Sequence, residues 1–198
     1  MGATSDTLAQ TNALTDSFRV LVVPGLHGSG AAHWQSRWQQ LHPAYERVEQ
    51  EHWDNPDLSV WSQRLQQVLA QRSAPTLIVA HSFGCLTTIH SLLTRPDAFT
   101  HVAGALLVAP ADPVKFEVAD LLQSRLSIPS LLVGSRDDPW MSATRAAHWA
   151  QVWGSQFVDA GALGHINADS GLGDWPAGQR LLHTLAQRAA TSNSGLHR

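Results

Sequence analysis

The chain has a single cysteine, Cys85, among 198 residues. One thiol excludes an internal disulfide framework and cannot supply a cysteine-rich zinc site. Basic residues are also few: 13 lysines and arginines stand against 16 acids, for a net charge of −3, and no basic run is present that could follow a phosphate backbone. Nucleic-acid binding is therefore not expected. No stretch approaches the roughly 18 consecutive apolar residues that a membrane span requires, so no membrane partner is expected. Residues 1–17 (MGATSDTLAQTNALTDS) lack the basic start and apolar centre of a secretory signal, and Asp6 spoils the hydroxyl position of an N-myristoylation motif. The expected location is cytoplasmic.

What is present is a moderately apolar chain, 43% hydrophobic, long enough for one sizeable core. Short β-rich runs alternate with amphipathic stretches. Residues 18–23 (FRVLVV) predict a buried strand stopped by Pro24-Gly25, and residues 33–43 (HWQSRWQQLHP) a helix ended by Pro43. Residues 47–52 predict a weaker second strand. Residues 57–71 place Leu58, Trp61, Leu65, Val68 and Leu69 on one helical face, with Asp57 as cap. Then come TLIVAHS, VAGALLVAP, SLLVGSRD and SQFVDAG, each followed by turn or helix signals. Six strand-like runs with helices between them predict a parallel sheet covered on both faces. By composition, residues 1–17 and 189–198 are expected to be mobile tails flanking one domain over 18–188.

In such a sheet, ligands bind beyond the carboxyl ends of the strands. The loops there read PGLHGSG, HSFG, GSRDDPW and GALGHINADSG, so that a serine, an acid and a histidine follow three strands in that order. This is the chain order of the α/β-hydrolase triad. A serine hydroxyl is a poor nucleophile until a histidine takes its proton, and the histidine needs a carboxylate to hold its tautomer. Ser82, His165 and either Asp137 or Asp138 fit these roles. Each residue has an ordinary alternative use: helix cap, one surface histidine of 11, and a turn before proline. Their joint occurrence at strand ends, in the expected order, favours the chemical reading.

The elbow itself reads Ala80-His81-Ser82-Phe83-Gly84, with alanine where the GxSxG pattern has glycine. The elbow demands small residues on either side of its serine, and alanine adds one methyl, so Ala80 is read as a tolerated variant. The glycines of PGLHGSG do not form a phosphate loop, since the spacing is not GxGxxG and Ala31 stands where a P-loop needs lysine. No HExxH or other ligand spacing occurs, and neither metal nor cofactor is expected. Of the eight tryptophans, most are expected in the core, with pairs such as Trp34/Trp38 and Trp149/Trp153 at helical spacing. Trp140, two residues after Asp138, is expected to wall a substrate pocket.

The stretches PGLHGSGAAHWQSRW, QEHWDNPDLSVWSQRL, AHSFGC, GSRDDPW and GHINADSGLGDWP resemble the serine hydrolase family that includes retinoblastoma-binding protein 9 and its small bacterial relatives. The likeness spans roughly residues 18–188. It implies an α/β-hydrolase fold, a compact three-layer sandwich with a mainly parallel sheet of about six strands. Only 55 residues lie between Ser82 and Asp138, which leaves no room for a large lid. The resemblance puts the nucleophile on Ser82, the acid on Asp138 and the base on His165, whereas counting from Gly134 alone would favour Asp137. The fold then implies oxyanion donors at the backbone amides of Phe83 and Leu26. The LxCxE motif for pocket-protein binding is absent, Cys85 being followed by Leu86 and Thr87. The expected activity is hydrolysis of small carboxylic esters. The alternatives are an aminopeptidase or amidase on short substrates, or an interaction module on a hydrolase scaffold.

Overall fold

The computed structural model describes residues 14–194. Its strands are β1 (Arg19–Val23), β2 (Glu46–Arg47), β3 (Thr76–His81), β4 (Val102–Val108), β5 (Ser130–Gly134) and β6 (Gln156–Asp159). Its principal helices are α1 (Trp34–Leu41), α2 (Leu58–Ala70), α3 (Phe83–Thr94), α4 (Ala143–Trp153) and α5 (Pro176–Ser194). All strand pairs are parallel, in the order β2-β1-β3-β4-β5-β6. This is the α/β-hydrolase fold in a compact form. No helix among the described residues is long and apolar enough to cross a membrane.

The layering follows from the two-residue period of the strands. Leu21, Val23, Ile78, Ala80 and Leu107 share one core with α2, α3 and α4. Val20, Val22, Leu77, Val79 and Leu106 share the other with α1 and α5. Both faces of the sheet are thus covered, which is why the strands read as continuous apolar runs instead of alternating. In α2 the residues Leu58, Trp61, Leu65, Val68 and Leu69 are all buried, and the Asp57 side chain accepts from the Val60 amide at 2.9 Å. Full burial of each large side chain contributes about 1.5–3 kcal/mol. Helix α3 is buried nearly all round, and its hydroxyls are satisfied internally: Thr87, Thr88 and Ser91 donate to the carbonyls of Phe83, Gly84 and Thr87.

Some boundaries differ from the sequence reading. The second strand is confined to Glu46–Arg47 instead of residues 47–52. Val48 still donates to the Val22 carbonyl at 2.9 Å, but the polar run after it offers no apolar alternation to extend an edge strand. Leu14, within the stretch read as an N-terminal tail, packs against the α1/α5 core, and the Ser17 hydroxyl donates to its carbonyl at 2.6 Å. Helix α5 runs on to Ser194, past residue 188, because Leu182, Leu185, Ala186 and Ala189 keep presenting an apolar face to the sheet. The remaining tail segments, 1–13 and 195–198, lie outside the described residues. Six of the tryptophans (Trp34, Trp38, Trp61, Trp149, Trp153 and Trp175) are buried, whereas Trp140 is 58% exposed.

The carboxyl ends of β1, β3, β4, β5 and β6 open on one edge of the sheet. From the carboxyl end of β4 runs the connection to β5, residues 109–129, whose one short 3-10 turn is Ala119–Leu122. Asp112 anchors it to α4: its carboxylate is buried and takes two bonds of 2.7 Å from the Arg145 guanidinium. Ala111, Asp112, Lys115 and Phe116 of this strap border the same cleft as Ser82.

Candidate active site

Strand β3 passes into α3 through Ser82, whose backbone is at φ 52° and ψ −124°. A positive φ at a residue other than glycine costs about 1–3 kcal/mol and persists only where the surroundings enforce it. The enforcement is visible in the neighbours. A Cβ added at Gly84 would fall within 2.5 Å of the Pro24 carbonyl oxygen and closer still to that of Val23, so α3 packs directly on the end of β1. A Cβ added at Gly25 would lie 2.7 Å from that of Ser82. Ala80, by contrast, points its methyl into the α2/α3/α4 core with full burial, which explains why position 80 accepts alanine. Gly84→Ala is expected to lower stability by about 3 kcal/mol, since backbone atoms cannot step aside. A thermal melt unchanged within a degree or two of the parent would refute that packing.

The structure brings Ser82, His165 and Asp138 together. The Ser82 Oγ lies 2.9 Å from His165 Nε2. On the far side of the ring, Nδ1 lies 2.9 Å and 3.1 Å from the two carboxylate oxygens of Asp138. Asp138 is 9% exposed and also accepts the Trp140 amide at 2.9 Å. Because Nδ1 faces a carboxylate, it carries the hydrogen, and the neutral ring presents a bare Nε2 to the serine hydroxyl. Asp137 turns the other way. It is exposed and accepts from the Ser135 hydroxyl and the Gly164 amide, each at 2.8 Å. Those bonds, the Gly164 amide first, hold its carboxyl below the usual carboxylate range.

Phe83 and Leu26, the residues expected to supply oxyanion donors, each begin a helical turn next to the elbow. Phe83 is the first residue of α3, where an amide has no intrahelical partner, and Leu26 opens a 3-10 turn on the loop after β1. Neither amide donates to another backbone group outside that local geometry among the described residues. Gly25 supports their approach, since an added Cβ would lie 3.2 Å from the Phe83 nitrogen. The loop carrying Leu26 is tied down by Gln35, which accepts the Ser29 hydroxyl at 2.7 Å and donates to the carbonyls of Val23 and Val79.

A cleft of about 400 Å³ opens over Ser82. Leu26, Ala111, Phe116 and Trp140 contribute apolar walls, and His33 and Lys115 add polar ones. Trp140 stands at the rim with its ring centroid 6.4 Å from that of His165. Two histidines that the sequence reading passed over are buried beside His165. His33 has its imidazole pushed down to about 3, chiefly by burial and then by the charges of Arg47 and His165. His81 is likewise held well below its ordinary value, again chiefly by burial. Its position immediately before the serine was the available signal. No group of three or more histidine, cysteine, aspartate or glutamate side chains among the described residues is arranged to hold a metal ion.

A protein-family model described as serine hydrolase matches residues 20–184. The chain belongs to the serine hydrolase family. It is accordingly a hydrolase, and solved structures agree at two levels of similarity. A YdeN-like hydrolase from Pectobacterium atrosepticum is 37% identical, with a TM-score of 0.86 over 93% of this chain and 98% of that one. The ydeN gene product of B. subtilis is 18% identical, with a TM-score of 0.68 over 85% of this chain and 98% of that one. An esterase from a Rhodococcus species is 14% identical at a TM-score of 0.63, covering 87% and 91% of the two chains. The last two likenesses speak to the fold alone. No curated protein matches the chain. As a serine hydrolase it departs from the GxSxG pattern only at Ala80, where the core has room for the methyl.

Proposed function

We propose that this serine hydrolase cleaves short-chain carboxylic esters, with Ser82 as nucleophile, His165 as base and Asp138 as the carboxylate that orients it. The observation that carries the reading is the continuous hydrogen-bonded path from Ser82 Oγ through His165 to Asp138, at 2.9 Å on each side of the ring. As Oγ attacks the ester carbonyl carbon, its proton passes to His165 Nε2, and Asp138 stabilises the imidazolium. The carbonyl oxygen becomes an oxyanion facing the amides of Phe83 and Leu26. Collapse of this intermediate breaks the bond to the alcohol oxygen, which takes the proton from His165. Water, deprotonated in turn by His165, then attacks the acyl carbon, the bond from that carbon to Ser82 Oγ breaks to release the acid, and His165 returns the proton to Oγ.

Short acyl groups are favoured because the cleft is small and is bounded by Phe116 and Trp140 under the 109–129 strap. Across p-nitrophenyl esters, kcat/KM is expected to be highest between acetyl and butyryl and to fall at least about tenfold by palmitoyl. A rate that climbs steadily with chain length would contradict the reading. Turnover of amides or aminopeptide substrates at rates matching the esters would move the assignment toward a peptidase.

A further inference from the structure

His81 is a polar residue at the buried end of β3, directly before the serine, and its ring nitrogen is engaged. Nε2 lies 2.9 Å from the carbonyl oxygen of His165. A carbonyl only accepts, so Nε2 carries the hydrogen and donates it. Burial, with the neighbouring His33 and His165, keeps the ring neutral. One residue on, the indole Nε1 of Trp34 donates to the carbonyl of Ile166 at 2.8 Å. Between these two carbonyls lies Ile166, a β-branched residue at φ 47°. A backbone in that region is held by its surroundings instead of by its own preference.

We propose that His81 and Trp34 act as positioning residues, fixing the backbone of the His165 loop so that the imidazole meets Ser82 at hydrogen-bond distance. The inference rests on the reading of Ser82 and His165 as nucleophile and base. Asp138 controls the rotation of the imidazole about its own bonds, since it holds Nδ1. It does not control where the His165 Cα stands. Two consecutive carbonyls held by donors from β3 and α1 do, because the strained segment cannot rotate without breaking one of the bonds. His81 is also the residue joined to Ser82 by a peptide bond, so one side chain couples the nucleophile's strand directly to the base's loop. The rings of His81 and His165 pack with centroids 4.9 Å apart, and the His33 ring packs on His81 at 4.6 Å. The donor is therefore wedged between fixed neighbours.

The test compares His81→Gln, His81→Leu and Trp34→Phe with the parent on one short p-nitrophenyl ester, with a thermal melt of each. Glutamine places an amide N–H where the imidazole Nε2–H stood, and leucine places none. His81→Leu is expected to lower kcat about 10²-fold with KM within about threefold, because a misplaced base affects chemistry and not binding. His81→Gln is expected to stay within about threefold of the parent, and Trp34→Phe to lose about tenfold. Equal losses in the Gln and Leu variants at matched melting temperature would reduce His81 to a packing residue and overturn the proposal. Should His81→Leu fail to fold, parent-like kcat in a folded Trp34→Phe together with a loss in His81→Gln would overturn it as well. Ser82→Ala assayed alongside separates the two levels. Full turnover there removes the underlying reading, whereas an inactive Ser82→Ala beside fully active His81→Leu and Trp34→Phe removes the positioning role alone.

Discussion

Asp138→Asn is expected to lower kcat on a short ester by about 10⁴-fold, while Asp137→Asn leaves it within a few-fold of the parent. The two carboxylates are adjacent in sequence and face different partners. Asp138 is buried with both oxygens at His165 Nδ1. An asparagine there can turn its amide N–H toward Nδ1, which forces the ring hydrogen onto Nε2 and leaves no lone pair for the Ser82 proton. Asp137 instead accepts from Gly164 and Ser135, bonds that an asparagine oxygen can also accept. Its effect is on the loop. Because these bonds depress its folded-state titration, the stability it contributes is present above the ordinary carboxylate value of about 4 and is lost as the pH falls below it. A melt of Asp137→Asn should accordingly converge on the parent under acid conditions. A collapse of kcat in Asp137→Asn beside normal turnover in Asp138→Asn would reverse the two roles.

Local patterns carried much of this architecture in the sequence. The five apolar positions of α2 and its Asp57 cap are legible because helix period and capping are short-range properties. The strands are legible because burial on both faces leaves uninterrupted apolar runs bounded by turns. Edges were harder: β2 is short because the residues after Val48 are polar and offer no apolar alternation, and Leu14 and Ala189 of α5 are held by contacts with the core that no local pattern announces. In the site, the loops after the strands pointed to Ser82 and His165. The choice between Asp137 and Asp138 was not local, since it depends on which side chain of a turning segment faces a ring 27 residues later. The bonds from His81 and Trp34 span 84 and 132 residues. Neither residue type is unusual in the core, and only the folded backbone shows that two of them meet consecutive carbonyls.

Ser82 sits at the centre of the proposed chemistry. Its hydroxyl makes no bond but the one to His165 among the described residues, so its removal should not disturb packing. Ser82→Ala is expected to lower kcat by about 10⁵–10⁶-fold, with a melting temperature within a degree or two of the parent. The most direct measurement is to react the parent and the Ser82→Ala variant with a fluorophosphonate probe, digest both, and locate the adduct by peptide mass spectrometry. One adduct on Ser82 in the parent and none in the variant is the expected result. An adduct on another residue, or a Ser82→Ala variant that keeps labelling and hydrolysing esters, would contradict it.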